Sequence, residues 1–267
     1  MKVQNKVIVV TGGGSGMGRE IVLNLLSKGA SVAAVDMNES TLQDTSELAG
    51  GRREKLALFV LNVTDKAGVE ALPEKVITRF GAVDGIINNA GIIQPFVRLN
   101  ALKFDAIERV LNVNLYGTLY MVKAFLPHLL QRPVAHIANT SSMGGFLPVP
   151  GQTIYGASKA AVKLLTEGLY AELLNTNVKV TVIFPGAIGT NIAANSGVSI
   201  ALPTDTESSI KPLPADKAAQ IIVDAIEQDR FSIFVGSDVS FMDLLYRLSP
   251  RRAAEFIYRQ MKSLLPA

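Results

Sequence analysis

The sequence predicts an α/β domain that is built on a parallel β-sheet. Short apolar runs without polar alternation, such as residues 7–10, are typical of parallel strands that are buried on both faces. These runs alternate with segments in which apolar residues recur at helical spacing, and a glycine-rich turn joins the first strand to the first helix. A chain of 267 residues with 48% hydrophobic residues can bury a large core as one such domain, or at most two small ones.

The composition excludes several classes of function. The chain contains no cysteine, which excludes disulfides, thiolate zinc ligands and a cysteine nucleophile. Its only histidines are His128 and His136, so we predict no metal site. The net charge of +3 is mildly basic, and without a long run of Lys or Arg it predicts no nucleic-acid partner.

The distribution of apolar residues also bears on membranes and location. No stretch of about 18 apolar residues exists, so no membrane-spanning helix is predicted. The apolar run near the N-terminus is too short for a signal-peptide core, and no small-residue cleavage site follows it. The expected location is therefore the cytoplasm.

The first strand, residues 6–11, leads into a turn that contains Gly12, Gly16 and Gly18. An amphipathic helix follows this turn and ends near Gly29. Strand, glycine-rich turn and helix together favour phosphate binding, because glycine lets the backbone approach the ligand and the helix N-terminus offers free N–H groups. The spacing is Gly-x-x-x-Gly-x-Gly, which differs from the commoner dinucleotide pattern Gly-x-Gly-x-x-Gly.

The second predicted strand, residues 31–35, ends in Asp36. An acid about 20 residues after the glycine turn is placed to bind the adenosine ribose, and it repels a 2′-phosphate. Met37 follows where an arginine would have favoured NADP, so the sequence predicts NAD. The alternative interpretation is that Asp36 caps the next helix, a role that Asn38 and Ser40 could fill equally well.

The alternation of strands and helices continues along the chain. Further strands are predicted at residues 55–61, 83–87, 134–138, 179–184 and 231–235, and helical segments at 67–80, 102–130, from Tyr155 to about 175, and 216–227. Within the long segment 102–130, Asn114 has apolar neighbours on both sides. A buried asparagine without partners is costly, so Asn114 either faces outward or has a specific role.

Tyr155 and Lys159 lie four residues apart in a helical segment, which places both side chains on one helix face. An unperturbed tyrosine has a pKa of about 10, and a nearby positive charge lowers it. The pair can therefore form a proton-transfer group that works near neutral pH.

The same spacing recurs at Tyr258 and Lys262, so spacing alone does not identify a site. Thirteen residues before Tyr155 stands Ser142, at the end of an apolar run, whereas the corresponding residue before Tyr258 is Leu245. Only the first pair has a nearby hydroxyl for a substrate oxygen, and Ser141 is a competing hydroxyl beside it.

The C-terminal third of the chain contains a long irregular segment and a helical tail. Residues 191–214 show no steady period, as in a lid or a disordered loop. We therefore divide the chain into a domain at 1–237, with a substrate lid at 187–214, and a helical C-terminal extension at 238–267. The tail is predicted to form two helices that are broken at Ser249-Pro250.

Each tail helix carries an apolar stripe, with basic residues nearby. The first stripe consists of Phe241, Leu244, Leu245 and Leu248, and the second of Ile257, Met261, Leu264 and Leu265. These stripes could lie on a membrane surface. We favour packing on the same subunit, on a neighbouring subunit or on the lid, because amphipathic helices normally face a core.

Several motifs occur in a fixed order: Thr11-Gly12 with Gly16 and Gly18, Asp36, Asn88-Asn89-Ala90-Gly91, Asn114, Ser142, Tyr155-x-x-x-Lys159 and Pro185-Gly186. In this order the chain resembles the short-chain dehydrogenase/reductase family, in its NAD-preferring form, over residues 6–235. The resemblance implies a Rossmann-type, doubly wound parallel sheet of seven strands, with the cofactor at the carboxyl ends of the strands.

The resemblance also implies a role for each catalytic residue. Tyr155 is the acid/base, and Lys159 lowers its pKa and binds the nicotinamide ribose. Ser142 holds the substrate oxygen, and Asn114 positions a water molecule that connects Lys159 to solvent. The cofactor transfers the hydride, while the protein handles the proton.

The cofactor-binding residues implied by the resemblance follow the strands in order. They are Gly12, Ser15, Gly16, Met17, Gly18, Asp36, Met37, Asn62, Val63, Asn89, Ala90, Gly91, Tyr155, Lys159, Pro185, Gly186, Ile188 and Thr190. Asn62 departs from the family, which usually has an aspartate that contacts the adenine ring. An asparagine can both donate to and accept from the adenine edge, so adenine binding should survive.

The expected substrate is a hydrophobic secondary alcohol or its ketone. The candidate pocket residues are Ile93, Pro95, Met143, Phe146 and Ile192, with Gln94 as a polar exception. A non-catalytic NAD-binding regulator or scaffold is the main alternative, and an epimerase or dehydratase is a weaker one. The resemblance and the apolar helix at 160–174 favour a homodimer or homotetramer.

Overall fold

A seven-stranded parallel sheet forms the centre of the protein. The structure is a computed structural model that describes residues 1–198, 212–262 and 265. The strands are β1 (Val7–Thr11), β2 (Ser31–Asp36), β3 (Leu56–Val60), β4 (Gly85–Asn88), β5 (Ala135–Thr140), β6 (Val178–Pro185), β7 (Ile188–Gly189), β8 (Leu213–Pro214) and β9 (Ser232–Val235). The main sheet has the order β3-β2-β1-β4-β5-β6-β9, and β7 and β8 form a small parallel pair of their own.

The strand order reverses at β1. From β1 the chain builds outward through β2 and β3 on one side, and then returns to β4, β5, β6 and β9 on the other. In doubly wound sheets, ligands bind in the crevice outside the carboxyl ends of the strands at such a reversal. The predicted α/β class and the doubly wound seven-stranded sheet are therefore confirmed.

Helices cover both faces of the sheet. They are α1 (Gly16–Ser27), α2 (Glu39–Ala49), α3 (Lys66–Glu70), α4 (Leu72–Phe80), α5 (Phe104–Leu111), α6 (Thr118–Leu129), α7 (Thr153–Glu172), α8 (Ile192–Asn195), α9 (Ala215–Glu227), α10 (Ser237–Leu248) and α11 (Pro250–Met261). One core lies under α1, α2 and α9. The second core lies under α4, α6 and α7 on the opposite face.

Two predicted helices differ in detail from the observed ones. The segment predicted at 67–80 is broken into α3 and α4, because Pro73 stands in the first turn of α4 and has no N–H to continue the preceding helix. The helix of Tyr155 ends at Glu172 rather than near residue 175. Both differences are local and leave the order of elements unchanged.

The long helical segment predicted at 102–130 contains an irregular turn. Between α5 and α6, residues Asn112–Gly117 wind as a π-helix. This turn carries Asn114, whose side chain is fully buried. Such π-helical turns occur frequently at functional sites, because they reorient side chains within an otherwise regular helix.

The C-terminal extension forms the two predicted helices, α10 and α11. Their inner faces pack through Met242, Ala253 and Ile257 against Leu147, which follows β5. Most of the first predicted stripe faces outward, with 59% of Phe241 and 76% of Leu248 exposed, whereas Leu245 packs against this cluster. Packing on the same subunit therefore applies to Leu245 alone, because Val239 and Met242 form the buried face of α10. A neighbouring subunit or the lid stays the predicted cover for the rest of the stripe.

Two further predictions concern the same region. Residues 199–211 of the predicted lid and Leu264 of the second stripe lie outside the described residues. None of the helices within the described ranges is long and apolar enough to cross a bilayer. The division into a domain at 1–237 and an extension at 238–267 stays a prediction.

Candidate active site

The glycine-rich turn after β1 opens at the strand reversal. Gly12 and Gly16 have φ angles of +69° and +51°, a region that favours glycine. A Cβ atom at Gly18 would lie 1.9 Å from the carbonyl oxygen of Gly12, so only glycine lets α1 pack against the turn. The N-terminus of α1 consequently points its free N–H groups into the crevice, where they can bind phosphate.

Asp36 at the end of β2 is bound to the same turn. Its Oδ2 accepts the N–H of Gly14 at 3.0 Å, and its Oδ1 accepts the N–H of Asn38 at 3.1 Å. The cap of α2 is Asn38, whose Oδ1 accepts two N–H groups of the first turn. Asn38, and not Asp36, therefore caps α2.

The loop after β4 is fixed against β1. The hydroxyl oxygen of Thr11 accepts the N–H groups of Asn89 and Ala90, each at 3.0 Å. The side chain of Asn89 in turn donates to the carbonyl oxygen of Thr11 at 3.1 Å. These three bonds position the predicted cofactor residues Asn89, Ala90 and Gly91 beside the glycine-rich turn.

Ser142, Tyr155 and Lys159 meet at the carboxyl end of β5. Ser142 is hydrogen-bonded to the phenol of Tyr155 and also accepts the N–H of Gly144 at 3.1 Å. Lys159 is 4% exposed, and its Nζ donates to the carbonyl oxygen of Thr140 at 2.8 Å. A hydroxyl, a phenol and an ammonium therefore line one end of the crevice.

The structure distinguishes between the two adjacent serines. The hydroxyl of Ser141 is 1% exposed and donates to the carbonyl oxygen of Lys159 at 2.7 Å, so it ties β5 to α7. Ser142 is the serine that hydrogen-bonds Tyr155. The two Tyr/Lys pairs also differ in burial. Lys159 is buried, whereas Tyr258 lies on α11 with half of its surface exposed.

Burial changes the pKa of both members of the pair. Burial raises the pKa of Tyr155, and the hydrogen bond with Ser142 opposes this shift only partly. Burial lowers the pKa of Lys159 to about 8. Desolvation of the phenolate is thus the largest influence on the pKa of Tyr155, and the lowering of this pKa by Lys159 stays a prediction.

Asn114 is tied to the loop after β4 rather than exposed. Its Oδ1 accepts the N–H of Ile92 at 2.9 Å, and its Nδ2 donates to the carbonyl oxygen of Ile92 at 3.0 Å and to Ser158 at 3.0 Å. A Cβ atom added to Gly91 would lie 3.1 Å from Lys159 Nζ and 3.3 Å from Asn114 Oδ1. Gly91 thus leaves room where the two side chains converge, and the water assigned to Asn114 stays a prediction.

Asn62 and Val63 lie at the opposite end of the crevice. The side chain of Asn62 is exposed, and its Oδ1 accepts the N–H of Thr64 at 3.0 Å. The amide NH2 is therefore the part of this side chain that remains available to an adenine acceptor. Val63 is buried against Gly117, where an added Cβ atom would lie 2.7 Å from Val63 Cγ2.

One cleft of about 1420 Å³ connects these ends. It is lined by Gly12, Ser15, Gly16, Met17, Gly18, Asp36, Met37, Asn62, Val63, Asn89, Ala90, Gly91, Ser142, Tyr155, Lys159, Pro185, Gly186, Ile188 and Thr190. Every predicted cofactor residue and three of the four predicted catalytic residues are in this set. Asn114 is buried behind it.

The cleft also has walls that the sequence did not reveal. Asp105, Glu108 and Arg109 of α5 contribute a charged wall, which the helical pattern alone marks only as a solvent face. From α8, Asn195 donates to the hydroxyl of Ser15 at 2.9 Å across the glycine-rich turn. No spacing rule connects residues so far apart in the chain, so only their proximity in the fold reveals them.

The predicted substrate pocket is only partly correct. Ile93 and Ile192 line the cleft. Met143 and Phe146 instead pack against the C-terminal helices, which cover the loop after Ser142. Pro95 is exposed.

Gln94 is not the polar wall residue that the sequence suggested. It is fully buried, and its hydrogen bonds go to the start of α7. The apolar end of the cleft is therefore built from isoleucines alone among the residues proposed for it.

A doubly wound sheet with a glycine-rich turn at its reversal and an acid at the end of β2 defines a dinucleotide-binding class of protein. A model of the short chain dehydrogenase family matches residues 6–199. The chain belongs to this family. It is 34% identical over 252 residues to SadH of Mycobacterium tuberculosis, which is named as an oxidoreductase, over 92% of this chain and 91% of that protein.

Solved structures agree with this assignment. A short chain dehydrogenase/reductase from Burkholderia phymatum in complex with NAD superposes with a TM-score of 0.85 at 29% identity, covering 94% of this chain and 96% of that chain. A short chain dehydrogenase from Burkholderia cenocepacia in complex with NADP superposes with a TM-score of 0.80 at 25% identity, covering 96% and 99%. These structural similarities support the family assignment. They do not decide between NAD and NADP, because the two structures contain different cofactors.

Proposed function

We propose that the protein is an NAD-dependent oxidoreductase that interconverts a hydrophobic secondary alcohol and its ketone. The observation that carries this proposal is that the hydroxyl of Ser142, the phenol of Tyr155 and the buried ammonium of Lys159 line the same cleft. These three groups stand at the end of a cleft whose other end has the features of a dinucleotide site. A proton-transfer group next to a dinucleotide is what alcohol oxidation and ketone reduction require.

Each side chain at this centre has a role that its contacts support. Ser142 binds the substrate oxygen, because its hydroxyl already hydrogen-bonds the phenol that must reach the same atom. Tyr155 gives its proton to a ketone oxygen, or takes one from an alcohol. The phenol is protonated at neutral pH, and burial raises its pKa further. The protonated phenol is the form needed for reduction.

Lys159 and Asn114 act behind the phenol. With a pKa near 8, Lys159 is mostly charged at pH 7, and it binds the nicotinamide ribose and favours the phenolate once substrate excludes water. Asn114 holds the loop after β4 and positions the water that connects Lys159 to solvent.

The residues of the cleft fit NAD. Gly12, Gly16 and Gly18 line the cleft without side chains, which would let a pyrophosphate approach the backbone at the start of α1. Asp36 places a carboxylate where a ribose 2′-hydroxyl would donate and a 2′-phosphate would be repelled. When bound, the nicotinamide accepts or supplies the hydride, and an NAD preference favours oxidation of the alcohol in the cell.

The substrate class is inferred from the apolar residues of the cleft. Ile92, Ile93 and Ile192 line it, and they offer no charge to a carboxylate or phosphate. Burying such a wall against a hydrocarbon skeleton is favourable by about 25 cal/mol per Å². Aliphatic, alicyclic and steroid-like secondary alcohols are therefore the compounds to screen.

The Tyr155→Phe substitution tests the catalytic proposal. Because it removes the transferred proton and keeps the ring, we expect turnover in an NADH-absorbance assay to fall by about 10²- to 10⁴-fold while NAD still binds. Tyr258→Phe is the matched control, since Tyr258 belongs to the exposed second Tyr/Lys pair, and it should leave turnover unchanged.

Two outcomes would contradict the proposal. Unchanged turnover in Tyr155→Phe would refute the assigned mechanism. Tight NAD binding without turnover of any compound in a broad alcohol and ketone panel would favour the non-catalytic regulator or scaffold instead.

The Asp36→Asn substitution tests the cofactor assignment. It removes the negative charge and keeps one acceptor oxygen, which can serve the N–H of either Gly14 or Asn38 but not both. We expect the ratio of kcat/KM for NAD to that for NADP to fall by about 10-fold, the size of a single screened charge repulsion. Glu39→Gln, in the first turn of α2, is the charge-matched control. A wild type that prefers NADP would contradict the assignment.

A further inference from the structure

The catalytic helix α7 begins without a cap of its own. Gln152 stands at its N-cap position, and within the described part of the chain its side chain makes no capping hydrogen bond. The first N–H groups of a helix lack partners inside that helix and need an acceptor from elsewhere. In α7 this acceptor is Gln94 Oε1, which takes the N–H groups of Ile154 at 2.8 Å and Tyr155 at 3.0 Å.

Gln94 is itself held in one orientation. Its Nε2 donates to the backbone carbonyl oxygen of Gly151 at 2.9 Å, and the backbone carbonyl oxygen of Gln94 accepts from Gln152 Nε2 at 2.7 Å. The side chain is fully buried. The amide oxygen faces two N–H donors and the amide nitrogen faces a carbonyl oxygen, so these contacts fix the orientation of the Gln94 amide.

The segment that carries Gln94 also holds the rest of the centre. Ile92 binds both ends of the Asn114 amide, and the N–H of Ile93 donates to Ser196, next to α8, at 3.0 Å. Three successive residues thus connect the loop after β4 to Asn114, to the segment over the cleft and to the backbone of Tyr155 itself.

We propose that Gln94 is a positioning residue for Tyr155, an inference that rests on the proposed function. By binding the N–H of Tyr155 across 61 residues of sequence, it sets the place of the phenol relative to Ser142 and the cofactor side of the cleft. Small displacements of a reacting group, on the order of 1 Å, can reduce rates by about 100-fold. Gln94 therefore acts on turnover through the position of another side chain.

The Gln94→Met substitution tests this role, because methionine fills a similar volume and accepts no helix N–H strongly. Gln152→Met is the matched control: Gln152 is equally buried, at 3% exposed, and donates to the carbonyl oxygen of Gln94. The first measurement is the ¹³C NMR resonance of the Tyr155 ζ-carbon in the full chain labelled at tyrosine, assigned with Tyr155→Phe. We expect this resonance and its titration midpoint to shift in Gln94→Met and to stay in place in Gln152→Met.

The second measurement separates kcat from binding. We expect Gln94→Met to lower kcat by about 10- to 100-fold with an unchanged Kd for NADH, because the phenol moves while the nucleotide contacts remain. Gln94→Glu keeps an acceptor oxygen for α7, and in its protonated form it has a hydroxyl that can replace Nε2 as the donor to Gly151. Because burial favours this neutral form, we expect kcat at pH 6 to be within about 3-fold of wild type at the same pH. Gln94→Glu also serves as the test variant if Gln94→Met does not fold.

The outcomes distinguish this inference from the proposed function. A Tyr155 resonance that is identical in Gln94→Met and wild type would overturn the positioning role, as would a Gln94→Glu variant that is as impaired as Gln94→Met at pH 6. A shifted resonance in a chain that turns over no alcohol or ketone would overturn the proposed function and support the positioning role.

Discussion

Burial shifts the pKa values of Tyr155 and Lys159 in opposite directions. It keeps Tyr155 protonated by raising its pKa, and it brings the pKa of Lys159 down to about 8. Sequence spacing predicts that the two side chains share a helix face, but it contains no information about desolvation. Burial therefore favours a neutral phenol beside an ammonium that loses its proton more easily than an exposed lysine, rather than a phenolate–ammonium pair.

The depressed pKa of Lys159 has a consequence for stability. In the unfolded chain an unperturbed lysine titrates near 10.4, so between pH 8 and that value the unfolded state binds more protons and the folded state gains stability as pH rises. We expect the free energy of unfolding of wild type to rise by about 2 kcal/mol between pH 7.5 and 9.5 relative to Lys159→Met.

Urea unfolding of the ligand-free protein at both pH values measures this difference. Lys163→Met is the matched control, because Lys163 lies one turn further along α7 at the surface and pairs with Glu167. Equal pH dependence in wild type and Lys159→Met would show that the buried ammonium keeps an ordinary pKa.

At the scale of elements, the turn between β1 and α1 depends on backbone proximity. The motif predicts that glycines are needed, and the structure gives the reason for each position. Gly12 and Gly16 adopt positive φ angles, whereas Gly18 is needed because a Cβ would overlap the carbonyl of Gly12. One motif therefore combines two different physical requirements.

The Gly18→Ala substitution tests the second requirement. Because the atom it meets is backbone and cannot turn aside, α1 must shift away from the turn, and we expect NADH binding to weaken by about 10-fold or more. Gly51→Ala is the control, since an added Cβ there meets no described atom within 4 Å. Fluorescence titration of NADH measures both, and equal affinities would contradict the packing argument.

The C-terminal helices show how an amphipathic pattern can mislead. Phe241, Leu244 and Leu248 repeat at helical spacing, yet they face outward, because α10 buries its other side against the loop after Ser142. Asp238 at the start of α10 accepts the N–H of Ala187, so the extension is also tied to the turn that follows β6. A neighbouring subunit or a membrane surface stays the predicted cover for the exposed stripe, with the subunit preferred.

At the scale of the whole molecule, exposed apolar side chains on α7 favour assembly. Leu164 is 68% exposed at the middle of this helix, and Phe104 at the start of α5 is 79% exposed. Large apolar side chains that are exposed to this extent are candidates for protein contacts. We therefore propose that the protein is a homodimer or homotetramer.

The Leu164→Arg substitution tests this proposal. A charge in the middle of a buried subunit contact is costly, so we expect the mass measured by light scattering to fall to that of the 28.5 kDa single chain. Leu48→Arg on α2 is the control, because Leu48 is 56% exposed on a different helix. A wild type that is already monomeric would contradict the proposal.

The sequence by itself determined the order of strands and helices, the glycine-rich turn, the acid after β2, and the spacing of Tyr155 and Lys159 on one helix. These features are local in the chain: hydrophobic periodicity, turn chemistry and fixed spacing express them within short windows. Because these signals are local, the strand positions were predicted closely. The break at Pro73 and the π-helical turn at Asn114 were not predicted.

Only the tertiary structure decided which groups meet across large separations. It gave Ser142 rather than Ser141 to the phenol, moved Met143 and Phe146 from the pocket to the C-terminal helices, and revealed Gln94 as the cap of the catalytic helix. It also decided the direction of the pKa shifts at Tyr155 and Lys159. The physical reason is that burial and hydrogen bonding depend on distances in space, which spacing along the chain does not determine.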